Sequence, residues 1–146
     1  MTVEDCVLIA GAGPVGTITG LCLARAGIRV KLFDALSEVP KDHRAATLQP
    51  STLDLAEHIG LTEKVMPRGI ESPVFQFRDR VTNEVVAEFD FSLLKDETPY
   101  PFALQIEQHK TIHAALELAQ VYPEFELHRP YVVTGVEQAA DHVEIT

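Results

Sequence analysis

The sequence holds 146 residues, 46% hydrophobic and 23% charged, the make-up of one globular domain with a core of its own. Lys and Arg total 12 against 22 Asp and Glu, a formal net charge of -10, which speaks against a nucleic-acid partner and against an anionic membrane surface. A small anionic ligand stays compatible, because backbone N–H groups bind one locally whatever the net charge. The sequence shows no basic leader and no apolar stretch near the ~20 residues of a membrane span. Cys6 and Cys22 lie in apolar stretches without CxxC spacing and read as buried small hydrophobes in a reducing, cytoplasmic setting.

In chain order, residues 3–10 end in the apolar run Cys6 to Ala10, the pattern of a strand covered on both faces of a parallel sheet. Gly11 to Gly16 is a turn. Residues 14–26 read as a helix, with Pro14 in its first turn and Gly27 just past its end. Residues 28–34 alternate apolar and charged and read as a second strand, which completes a βαβ unit. Residues 35–50 read as a polar loop and 51–59 as a short helix stopped by Gly60. Residues 74–79 and 84–91 read as a hairpin around the polar RVTN tetrad, and 92–101 as a loop. A helix is expected from Gln105 to Gln120, then three short strands at 124–128, 131–137 and 142–146.

Gly11, Gly13 and Gly16 spell G-x-G-x-x-G between a strand and a helix. The first glycine permits the tight turn, the second lets the backbone approach a pyrophosphate, and the third lets helix pack on strand. Gly20 would continue that close helix–sheet contact. The helix N-terminus then offers N–H groups and its dipole to phosphates. Asp34 closes the second strand about 20 residues on, where an acid accepts ribose hydroxyls and disfavours a 2′-phosphate. The fold class is therefore α/β, a Rossmann-like dinucleotide-binding βαβ fold followed by a partial β-rich region. The glycine motif serves FAD and NAD alike.

The next residues narrow the choice. His43-Arg44-Ala45-Ala46-Thr47-Leu48, then Pro50-Ser51-Thr52-Leu53-Asp54-Leu55 and Ile59-Gly60-Leu61, resemble a segment of the FAD-dependent aromatic-ring monooxygenases. These are the p-hydroxybenzoate and phenol hydroxylase-like class A flavoprotein hydroxylases. GAGPVG, with its Pro14 and Val15, looks like that family's version of the loop, and Leu104-Gln105-Ile106-Glu107-Gln108 resembles its glutamine-led helix start. The resemblance runs from residue 5 to about 120. It implies FAD held non-covalently, NADH or NADPH as reductant, and hydroxylation of a small phenolic substrate with O2. Carried onto this chain, Gly11, Gly13, Pro14, Val15 and Gly16 would hold the pyrophosphate and Asp34 the adenosine ribose. Arg44 would fork onto phosphate oxygens, and Gln105, or alternatively Gln108, would reach the flavin side.

The resemblance also calls for an Asp-Gly and a Gly-Asp segment that this sequence lacks, and no catalytic base is recognisable. The chain thus reads as an incomplete N-terminal FAD-binding portion, residues 1–146, with 73–102 as the start of a substrate-region sheet set into it. On its own it is expected to be inactive. A non-catalytic nucleotide-binding module and half of an NAD-dependent dehydrogenase remain as alternatives. His109 and His113 share a helix face, but no HExxH glutamate or third ligand accompanies them, so no metal is expected. His43 and His58 have no nameable partner, and oligomeric state has no signature.

Overall fold

The apolar run ending at Ala10 and the alternation leading to Asp34 become neighbouring strands. In the computed structural model, which describes residues 5–41, 44 and 46–146, β1 (Val7–Ala10) pairs in parallel with β2 (Val30–Phe33), Val7 opposite Val30 and Ala10 opposite Phe33. Between them runs α1 (Pro14–Arg25). Its buried residues Thr17, Gly20, Leu21 and Ala24 recur at helical spacing on one stripe. The helix ends in a Schellman motif: Gly27 N–H donates to Ala24 O at 2.9 Å and Ile28 N–H to Leu23 O at 3.0 Å. Gly27 sits at φ +77°, where a side chain would be strained. A Cβ on Gly20 would lie 2.8 Å from the Phe125 ring, so the glycine is what lets this helix approach the sheet.

The chain divides into two compact units, Met1–Lys41 with Thr111–Thr146, and Asp42–Lys110. In the first, β2 is the centre of a three-stranded parallel sheet of order β1-β2-β8, where β8 is Phe125–His128. Val30 and Leu32 on one face of β2 are 1% and 0% exposed. Burial of each such side chain is worth about 1.5–3 kcal/mol. In chain order, β8 is preceded by a helix and followed by a short antiparallel hairpin.

In the second unit, β7 (Ala103–Gln105) is the centre of a three-stranded antiparallel sheet, flanked by β3 (Thr47–Leu48) and β4 (Ile70–Ser72). The helices α2 (Pro50–Glu57) and α3 (Leu61–Val65) pack on each other through Leu53, Leu61 and Val65, none more than 1% exposed. The buried Thr62 hydroxyl donates to Leu53 O at 2.6 Å. β5 (Val74–Arg78) and β6 (Val85–Asp90) form the expected hairpin, with a register shift at Phe77/Arg78. α4 (Gln108–Ala119) follows β7, and in the first unit the hairpin strands are β9 (Val136–Gln138) and β10 (Val143–Ile145). Among the described residues no helix is long and apolar enough to cross a membrane.

The α/β class is as expected, but several local readings change. β1 is the edge strand of its sheet, and Val7 is 38% exposed rather than covered on both faces. Cys22 falls off the buried stripe of α1 and is exposed, and Cys6 is half-buried; both thiols are free. Gln105 ends a strand instead of starting a helix, because β3 and β4 claim β7 from both sides; α4 begins at Gln108. Residues 131–135 are not a strand: the Tyr131 amide donates to Asp34 O at 2.8 Å. The loops expected at 35–50 and 92–101 contain β3 and a short 3-10 turn, Phe91–Leu94. Residues 3 and 4 of the first expected strand, His43 and Ala45 lie outside the described residues.

Candidate functional site

The glycine loop is built by three steric facts. Gly11 adopts φ +103°, a conformation that side chains rarely enter. A Cβ on Gly16 would stand 2.0 Å from Gly11 O, so helix and loop could not close with any other residue there. At Gly13, by contrast, an added Cβ meets nothing within 4 Å. Gly13 is the N-cap of α1, in extended conformation and with no side chain capping the helix; Pro14 follows as its first residue. First-turn N–H groups have no partner inside a helix, so the backbone donors and the positive dipole end of α1 lie beside the open space at Gly13.

Asp34 closes this loop from the end of β2. Its Oδ2 accepts the Ala12 N–H at 2.6 Å and its Oδ1 accepts the Leu36 N–H at 2.9 Å. Its own N–H donates to His128 O at 3.0 Å. A carboxylate can accept about four hydrogen bonds, so both oxygens keep capacity for a hydroxyl. Arg129, just past β8, stands 3.9 Å from Asp34 Oδ2, and its Nη2 donates to Ala12 O at 3.2 Å. No sequence pattern singles out Arg129, an isolated arginine between two expected strands.

Arg44 and Gln105 belong to the second unit. Arg44 is exposed. Gln105 is exposed at the end of β7, where its Oε1 accepts the Thr47 hydroxyl at 2.9 Å across the β3–β7 pair. Gln108 opens α4 and is half-buried. His113 is exposed on α4, whereas His109 is half-buried. Among the described residues no group of three metal-capable side chains converges.

The second unit also holds a cavity of about 370 Å³. Phe75, Phe77, Phe89 and Phe91 line one side, and Thr47, Gln49, Ser72 and Gln105 bring polar groups to it. Phe75 and Phe77 meet edge to face, with ring centroids 5.0 Å apart and planes at 90°, the geometry that ring quadrupoles favour. The signal for this face was the period-two placing of Phe75 and Phe77 in VFQFRD.

The chain as a whole is similar to known proteins. A para-nitrophenol 4-monooxygenase from a Pseudomonas species is 30% identical over 145 residues, which are 99% of this chain and 36% of that one. Pentachlorophenol 4-monooxygenase of Sphingobium chlorophenolicum is 31% identical over 108 residues, 74% of this chain and 20% of that one. The crystal structure of a p-nitrophenol 4-monooxygenase from Pseudomonas putida superimposes with a TM-score of 0.93 at 29% identity, covering 99% of this chain and 36% of that one. The chain thus spans about a third, or less, of the length of these relatives. The FAD binding domain family matches residues 4–146, nearly the whole sequence. That match decides between the two dinucleotides that the glycine motif alone leaves open, and with it the chain belongs to the FAD binding domain family.

Proposed function

We propose that this chain is the FAD-binding part of a flavin-dependent monooxygenase that hydroxylates a small phenolic substrate with NADH or NADPH and O2. The observation that carries the aromatic reading is the phenylalanine-lined cavity in a chain of the FAD-binding family. Its volume of about 370 Å³ lies in the range of small-ligand pockets, apolar walls with a few polar groups to fix orientation. The segment 73–102, which supplies four phenylalanines to it, is then the start of the substrate region. The named substrates of the relatives, p-nitrophenol and pentachlorophenol, are single-ring phenols and agree with such a pocket.

The open, side-chain-free space at Gly13 fits a pyrophosphate. In this reading Gly11, Gly13, Pro14, Val15 and Gly16 hold it through backbone donors, and Asp34 takes the adenosine ribose. Arg44 and Gln105 are the further cofactor contacts of this reading. When bound, FAD would supply the redox chemistry, by which two electrons of the nicotinamide and O2 give a hydroxylated ring and one water. The protein's part is to orient and to exclude water. Two free thiols, Cys6 and Cys22, suit a reducing cytoplasm.

The test is NADH and NADPH consumption by the full-length protein with FAD, over a panel of substituted phenols. The expected result is phenol-stimulated consumption with a product heavier by one oxygen atom. FAD binding without phenol-stimulated turnover would instead support a non-catalytic nucleotide-binding module.

A further inference from the structure

The geometry points to Arg129 as the residue that positions the glycine loop and Asp34 for the adenosine half of FAD, with its Nε–H as a donor to that half. The inference rests on the reading of the loop as the pyrophosphate cradle. Ala12, the residue between the first two glycines, is 2% exposed, and its peptide groups are held on both sides. Its N–H goes to Asp34 Oδ2. Its carbonyl accepts from Arg129 Nη2 and, also at 3.2 Å, from the Thr17 hydroxyl. Glycines on either side give the loop little stiffness of its own, so these side chains set its shape.

Charge points the same way. The Asp34 carboxylate is 15% exposed and would face a diphosphate of like sign, in a chain whose net charge is already -10. The Arg129 guanidinium, 11% exposed and 3.9 Å from Asp34 Oδ2, offsets that repulsion where solvent screens little. Arg129 also holds an unmet donor. Arg129 Nε is buried and has no hydrogen-bond partner. A buried charged donor left this way is costly, and a ribose hydroxyl or phosphate oxygen would satisfy it. Position agrees. β2 and β8 are parallel neighbours with Phe33 opposite His128, so Asp34 and Arg129 stand side by side just past their carboxyl ends, where open α/β sheets bind ligands.

The experiment titrates the full-length protein with FAD, ADP and FMN, comparing the parent with Arg129→Gln and Arg129→Lys. Arg129→Gln should weaken FAD and ADP together by about 10- to 100-fold, the worth of a charge-assisted hydrogen bond. FMN, which lacks the adenosine, should bind as before, and Arg129→Lys should recover part of the loss. In arginine Nε–H spectra, the resonance missing from Arg129→Lys should shift and exchange more slowly when ADP is added to the parent. Equal FAD and ADP affinity in parent and Arg129→Gln would overturn the inference, as would a parallel loss of FMN or an Nε–H signal indifferent to ADP. If Arg129→Gln does not fold, the lysine variant and the spectra decide alone. Failure of the parent to bind either FAD or ADP would overturn the cradle reading and Arg129 with it; tight binding by parent and variants alike would overturn Arg129 only.

Discussion

Strands β2 and β5 place apolar residues in a similar alternating way and reach opposite ends. On β2, Val30 and Leu32 are almost wholly buried. On β5 every residue is exposed, and Phe75, Phe77 and Phe89 are 48%, 55% and 54% exposed. The first region closes on itself, because α1 lies over the strands it connects and Gly16 and Gly20 bring it close. The hairpin instead turns its phenylalanines toward a cavity. Apolar area is spent on folding in one region and left available to a ligand in the other.

Substitutions in the two regions should therefore separate stability from binding. The largest effect is expected from Gly16→Val, whose Cβ would stand 2.0 Å from a backbone oxygen. Chemical denaturation should show a loss of at least about 3 kcal/mol, the upper end of overpacking costs. Leu32→Ala should follow with about 2–5 kcal/mol for a cavity at a fully buried site. Phe77→Ala should cost no more than about 1 kcal/mol, since half of the ring is already in water. That variant should instead raise KM for phenols in steady-state assays. A stability loss as large as that of Leu32→Ala would erase the contrast between the regions.

The smallest effect concerns the β9–β10 hairpin. Asp141 and Glu144 hydrogen-bond the His142 ring and raise its pKa above the ordinary 6.5. A raised folded-state pKa means that the protonated ring is favoured on folding. Its contribution is complete below the unfolded value and disappears as pH rises through the folded one. The Tm difference between the parent and His142→Asn should thus be largest below the ordinary 6.5 and shrink as pH rises above it.

What the sequence revealed follows the same division. The βαβ unit was legible because its determinants are local: an apolar run, a glycine motif with Pro14, an alternating strand and Gly27 at a left-handed helix end. β3, β4 and β7 were not legible. They are two or three residues long and exist through pairing between distant segments, such as Thr47 with Gln105. For the same reason Gln105 was expected on a helix that begins only at Gln108. Arg129 was invisible because its meaning depends on β8 lying beside β2 with the second unit's sequence between them. The edge position of β1 and the outward turn of Cys22 likewise depend on sheet order and on the buried stripe of α1, not on local apolarity.

The most direct test of the cradle is Gly13→Asp, measured for stability and FAD affinity on the same protein. Gly13 has extended backbone and nothing within 4 Å of an added Cβ, so the side chain fits without a clash. Asp is a preferred N-cap and complements the helix dipole, a gain of about 0.3–1 kcal/mol. It also places a negative charge where the pyrophosphate should lie. The expected outcome is an unchanged or higher Tm together with FAD binding weakened by about 100-fold or more. A variant that binds FAD as tightly as the parent would contradict the account, because the space in front of α1 would not be where the cofactor sits.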